Sequence, residues 1–242
     1  MEIPYIVEAE GLRVVCEDGY EALSDVSFSL ETGCRTALIG ANGAGKSTLL
    51  LSMVGVIPYT SGVLRVSNEA VDKKTFSKLW KTIGLVFQNP DDQLFTMKVA
   101  DDLAFGLRNQ GLDESEVDRR VTATLEKMDI CHLRDRMPSR LSLGEKRSVA
   151  IGAVLAMEPK VLLLDEPTSF LDPRSRSLLA RTLASLSQTQ LIATHDLDFA
   201  RDLCEQVIIL QKGKVQAVGK TTTLLGDHAL LIRCGLELAP VS

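Results

Sequence analysis

The 242-residue chain lacks any long unbroken apolar run. Its aliphatic stretches Val161-Leu162-Leu163-Leu164 and Val207-Ile208-Ile209-Leu210 fall far short of the roughly 18–20 residues that a membrane-spanning helix needs. The chain is therefore expected not to cross a bilayer by itself. Paired cysteines are lacking as well. Cys16, Cys34, Cys131, Cys204 and Cys234 are odd in number and never spaced as CxxC, which argues against a disulfide framework or a structural zinc site and suits reduced thiols. The three histidines, His132, His195 and His228, are isolated from one another, so no metal cluster is expected from them. Basic charge is not in excess either: the formal net charge is -5, and nucleic acid is not the expected partner. The opening residues Met1-Glu2-Ile3-Pro4 carry no basic segment followed by an apolar one, so a cytoplasmic location is the default expectation.

What is present is enough apolar material, 45% of the sequence, for one large α/β domain or a core domain with a small helical insertion. Residues 6–15 and 26–30 read as β-rich. The run Arg35-Thr36-Ala37-Leu38-Ile39, short, apolar and closed by Gly40, reads as a buried strand. From Ser47 the pattern through Val54 continues as a helix, which Gly55 and Pro58 break. Residues 99–137 are charged and helical in pattern and read as a helical subdomain inserted into the core. The core resumes with a helix over 149–155, a strand over 161–164, a helix over 174–186 and a strand over 191–194. That alternation predicts a mostly parallel sheet. After Gly219 the tail reads as polar and then weakly helical.

Three motifs carry chemistry. Gly40-Ala41-Asn42-Gly43-Ala44-Gly45-Lys46-Ser47 satisfies G-x-x-x-x-G-K-[ST] and lies between a predicted strand and a predicted helix. Its glycines let backbone N–H groups converge on phosphates; Lys46 adds a point charge and Ser47 a Mg²⁺ ligand. Alone, this loop says only nucleoside triphosphate. At the end of the predicted strand 161–164 stand two acids. Asp165 would reach the Mg²⁺ shell, and Glu166, on the other side of an alternating strand, would be free to act as general base toward an attacking water. Thirdly, Leu141-Ser142-Leu143-Gly144-Glu145 precedes a helix, and Ser142 with the amides near Gly144 makes a helix-start anion site. By itself that is an ordinary N-cap, as His195 by itself is an ordinary packed or solvated histidine.

Taken in order, the phosphate loop, Gln88, Leu-Ser-x-Gly, Asp-Glu, Ser169-Phe170-Leu171-Asp172 and His195 closely resemble the ATPase cassette of ABC transporters. The resemblance runs from about residue 6 to residue 219. It implies an α/β fold, a phosphate-loop NTPase cassette with a mostly parallel core sheet, an antiparallel β subdomain at the N-terminus and an inserted α-helical subdomain near 99–140. The cassette is expected to fill residues 1–220, leaving a short tail at 221–242. The family's ligands are ATP and Mg²⁺, with ATP contacts at residues 40–48, Thr48 included. By resemblance, Gln88 senses Mg²⁺ and the attacking water while linking to the membrane subunit. Ser142 and Gly144 complete the site of a second ATPase subunit, identical or paralogous, in a head-to-tail dimer. Asp172 communicates across that dimer, and His195 holds the γ-phosphate against Glu166. The expected partners are thus a second cassette and integral membrane subunits at the cytoplasmic face of the membrane.

Two positions depart from the family. The signature has Leu143 for glycine and Glu145 for glutamine, implying a stiffer closing loop with an extra negative charge near ATP. Cys16 stands before Glu17-Asp18-Gly19 where an aromatic commonly stacks on adenine, with Tyr20 as a candidate substitute. The segment Val86-Phe87-Gln88-Asn89-Pro90-Asp91-Asp92-Gln93-Leu94-Phe95 is similar to that of energy-coupling-factor importers, and the signature region is similar to the ATPase subunit of cobalt and nickel importers. Metal import is accordingly the leading expectation and vitamin import the alternative. A soluble ABC ATPase acting in DNA repair, chromosome structure or translation is the rival from another class; the short stretch between Lys46 and Leu141 leaves no room for a long coiled-coil insertion.

Overall fold

The computed structural model describes residues 4–72 and 75–236. Elements are numbered in chain order. Two sheets organise the chain. β1 (Tyr5–Val15), β2 (Glu21–Glu31), β4 (Ser61–Val66) and β5 (Glu69–Ala70) form an antiparallel sheet in the order β2-β1-β4-β5. β3 (Arg35–Ile39), β6 (Ile83–Val86), β7 (Val161–Asp165), β8 (Thr189–Thr194), β9 (Gln206–Gln211) and β10 (Lys214–Lys220) form the core sheet in the order β10-β9-β3-β8-β7-β6. Its inner pairs are all parallel, and β10 closes one edge as an antiparallel strand.

The core strands are apolar without alternation because both of their faces are covered. Side chains one residue apart enter different cores. Ala37, Ile39, Leu162, Leu164 and Ile192 pack into one cluster with α5 (Leu143–Leu155), α6 (Pro173–Ser185) and α7 (Leu197–Leu203). Leu38, Val161, Leu163 and Leu191 pack into another, shared with α1 (Lys46–Met53), α2 (Phe76–Thr82) and the antiparallel sheet. α3 (Val99–Asn109) and α4 (Glu114–Lys127) make the helical subdomain. Asp113 caps α4 by accepting from the amides of Ser115 and Glu116, and Val117, Val121, Thr124 and Leu125 bury one helical stripe. No helix among the described residues is long and apolar enough to cross a membrane.

Several boundaries differ from the expectations. β2 starts at Glu21, well before residue 26, because Leu23 and Val26, on either side of a register shift, are both fully buried against β1. α5 starts at Leu143, so the signature belongs to the helix rather than preceding it by a turn. The tail beyond Gly219 contains α8 (Thr221–Leu224) and α9 (His228–Arg233), with Leu231 fully buried. The predicted tail residues 237–242 lie outside the described residues.

Candidate active site

Parallel strands place their carboxyl ends on one edge, and ligands bind there. Four of the core strands, adjacent in the order β3-β8-β7-β6, end at that edge on the sequence-predicted groups. Gly40 follows β3, His195 follows β8, Asp165 closes β7 with Glu166 next, and Gln88 lies two residues beyond β6. A cleft of about 540 Å³ opens among them, lined by Asn42–Ser47, Gln88, Glu166, Ser169, Phe170 and His195.

The phosphate loop is built to receive an anion. Gly45, at φ 105°, is the N-cap of α1 and offers no side-chain cap, and no acidic residue stands in the first turn. The positive helix end is therefore unopposed. Lys46 is 6% exposed; its Nζ donates to the Gly40 carbonyl at 2.7 Å and pairs with Glu166 Oε1 at 3.2 Å. Gly40 and Ala41 form the loop's stem, and Thr48, on α1, does not line the cleft. A Cβ on Gly40 would fall 2.5 Å from the Leu210 carbonyl and 2.8 Å from Ala44 Cβ. Gly40→Ala should therefore push the loop off β9 and weaken fluorescent-ATP binding on the order of tenfold. Unchanged affinity would mean that the loop tolerates this shift.

Glu166 sits where the chain leaves β7 through a left-handed residue, φ 44°, a conformation that costs a non-glycine residue about 1–2 kcal/mol. This turn, rather than strand alternation, separates it from Asp165. It is also not free: besides the Lys46 pair, its Oε2 lies 2.8 Å from His195 Nδ1 and accepts from the His195 amide at 3.4 Å. His195 is held in turn by its neighbour, because Asp196 caps α7 and takes two hydrogen bonds from Arg176 at 2.8 and 3.0 Å.

Asp165 Oδ1 is buried without a hydrogen-bond partner. Burial pushes the Asp165 carboxyl above its ordinary range, against the pull of the Ser47 hydroxyl. A hydroxyl beside a buried carboxylate oxygen is a donor set that fits a hard cation such as Mg²⁺. No group of three or more His, Cys, Asp or Glu able to hold a metal alone occurs among the described residues. Phosphate oxygens and water would supply the rest of the shell.

The signature lies outside this cleft. Ser142 and Gly144 line a second pocket of about 360 Å³ together with Glu145, Leu171 and Ser175. Glu145 does not stand as a free charge. Its Oε2 accepts from the Ser142 amide at 2.8 Å and the Ser142 hydroxyl at 2.7 Å, completing a capping box. These bonds hold its carboxyl below the ordinary range. Asp172 is the N-cap of α6, accepting from the amides of Arg174 and Ser175 and from the Ser175 hydroxyl. Neither Cys16 nor Tyr20 lines the cleft, and Tyr20 is 60% exposed.

Two residues of the site received no role from sequence reasoning. Phe170, 90% exposed at φ 63°, stands at the mouth of the cleft. Arg147, 2% exposed, donates to the carbonyls of Phe87 and Gln88 at 2.9 and 2.7 Å. Arg147 stands among Glu145, Lys146 and Ser148 in the polar first turns of α5, so no local pattern sets it apart.

Comparison with known proteins adds to this geometry. Residues 23–169 match the ABC transporter family. The energy-coupling factor transporter ATP-binding protein EcfA of Carboxydothermus hydrogenoformans is 41% identical, over 96% of this chain and 86% of its own. The structure of cbiO1 from Clostridium perfringens, described as part of the ABC transporter complex cbiONQ, superposes with a TM-score of 0.86 at 38% identity, covering 98% of this chain and 96% of that one. A dimeric, post-hydrolysis ATP-binding cassette bound to ADP and phosphate superposes with a TM-score of 0.79 at 25% identity, over 89% of this chain and 98% of that one. A cleft that presents a phosphate loop, paired acids and a histidine on one sheet edge, and matches of this extent, lead to one conclusion: the chain belongs to the ABC transporter family, as an ATP-binding subunit that hydrolyses ATP to drive transport.

Proposed function

We propose that this ATPase powers an energy-coupling-factor importer of cobalt or nickel ions, working with Mg²⁺ and with Glu166 as the general base. The observation that carries the chemistry is the buried Glu166 carboxylate, held between Lys46 and His195 at the mouth of the phosphate loop. Amides of residues 42–47, which line the cleft, and the Lys46 ammonium take the phosphates. Ser47 and Asp165 would hold Mg²⁺ and Gln88 would sense it, and the ion's charge would offset that of the phosphates. As the γ-phosphate engages Lys46, Glu166 loses that partner and becomes available to accept the proton of the attacking water. His195, already fixed by Asp196, keeps Glu166 oriented and faces the γ-phosphate.

Ser142, Gly144 and Asp172 sit away from their own cleft, which fits service to a second subunit's ATP; the dimeric relative supports a two-cassette assembly. An apolar groove of about 650 Å³ beside the glutamine segment, with exposed Trp80, Phe95 and Phe105, supports docking of a membrane subunit. Phe87 lines that groove while Gln88 lines the ATP cleft, so adjacent residues connect the two. Attachment there places the chain at the cytoplasmic face of the membrane. The energy-coupling-factor assignment rests on the 89–95 segment and on the EcfA and cbiO1 likenesses. Coexpressed with the membrane proteins encoded beside it, the chain should drive ATP-dependent accumulation of radioactive cobalt or nickel. Accumulation of a labelled vitamin instead, with no metal uptake, would move the cargo to the vitamin class.

A further inference from the structure

The segment that follows β6 is riveted to α5 at three successive points. Arg147 Nη1 and Nη2 donate to the carbonyls of Phe87 and Gln88, Lys146 Nζ pairs with Asp91 Oδ1 at 2.6 Å, and Gln93 Nε2 donates to the Ala150 carbonyl at 2.7 Å. Gln93 Oε1 also accepts from the Phe87 amide at 3.3 Å, which closes the segment on itself. Arg147 is expensive to keep here. It is almost fully buried, its Nε has no partner, burial works against its charge, and only the Asp165 carboxylate nearby favours it. An apolar side chain of similar volume would commonly serve stability as well or better. Retaining the cation makes sense if what it holds, the main chain of Gln88, must not drift.

α5 begins at the signature, and its first turn carries Ser142 and Gly144. We infer that Arg147, assisted by Lys146–Asp91 and Gln93, is a positioning residue that locks the glutamine of one ATP site to the signature that serves the other. This inference rests on the reading of Gln88 and the signature given above. In a head-to-tail pair, Gln88 reports on this subunit's own nucleotide, whereas the signature touches its partner's. Seating the signature therefore sets Gln88, and closure at one site prepares the other. Cooperativity between the two sites runs through a rigid body rather than through a change in fold.

Four proteins test this: Arg147→Met, Arg147→Lys, Gln88→Ala and the double variant Arg147→Met/Gln88→Ala. ATP affinity of the isolated subunit should stay within about twofold in Arg147→Met, because the phosphate loop is untouched. Its kcat should fall on the order of tenfold, the equivalent of one charge-assisted hydrogen bond, and its Hill coefficient for ATP should move from above one toward one. Arg147→Lys should recover part of both. In the Gln88→Ala background Arg147→Met should cost nothing further, since the path has already been cut. Full additivity in the double variant, or an unchanged Hill coefficient with proportional loss of ATP affinity, overturns the inference and leaves Arg147 a packing residue. If the wild type shows no turnover, the proposed function fails instead, and the strap is then read from amide exchange. Arg147→Met must raise exchange at residues 87–93, and unchanged protection there also overturns it.

Discussion

Glu166→Gln is expected to lower steady-state ATP hydrolysis by about 10²–10⁴-fold, the range a positioned general base supplies, while nucleotide affinity holds or improves. The glutamine side chain keeps the shape and can still accept from the His195 amide, but it cannot take the water's proton. It also removes the carboxylate that pairs with Lys46 at 3.2 Å and would compete with phosphate for it. Phosphate release and fluorescent-nucleotide titration measure the two effects separately. Turnover at the wild-type rate would remove Glu166 from the role of base. A parallel loss of affinity would mean that Glu166 helps to hold the nucleotide rather than competing with it.

Lys46→Ala should abolish measurable ATP binding and also unfold more easily, for two different reasons. The ammonium is the only charge in the phosphate loop, so binding goes with it. Its removal also leaves a carboxylate with a side chain only 7% exposed and His195 as its remaining partner. Breaking a buried pair from one side costs ~3 kcal/mol or more, and at roughly 2–4 °C per kcal/mol for a chain of this size the melting temperature should drop by about 6–12 °C. Lys46→Ala/Glu166→Gln separates the two. The double variant should recover most of the lost thermal stability, because the uncompensated charge is gone, and it should still not bind ATP. A double variant as unstable as Lys46→Ala would show that the lysine stabilises through packing instead.

These results depend on a pairing that no local pattern announces. The phosphate loop, the paired acids and His195 were each legible because each is contiguous and follows an apolar strand. The parallel sheet then does what such sheets do and brings their ends together. The orientation of Glu166 was not legible, since it turns on one left-handed residue that strand alternation does not anticipate. Glu145 was read as an extra negative charge near ATP, although Ser142-x-x-Glu145 carries the spacing of a capping box, which the structure forms. β10 was missed because its residues alternate between exposed and half-buried at a sheet edge, and such strands leave little apolar signal. Arg147 was passed over because its partners are main-chain carbonyls, and carbonyls have no sequence.

The ends of the helices carry one more consequence. α4, α5, α6, α7 and α9 each start on a side chain that caps them, whereas α1, like α3 and α8, starts without one, and its N-cap is Gly45. α1 differs from those two in opening onto the cleft, where the phosphate of a nucleotide would supply the cap and stabilise the chain on binding. Its resistance to unfolding and to proteolysis should then rise with the nucleotide concentration, as RT ln(1 + [L]/Kd) requires. In a cell running short of ATP, this subunit would be easier to degrade as well as idle.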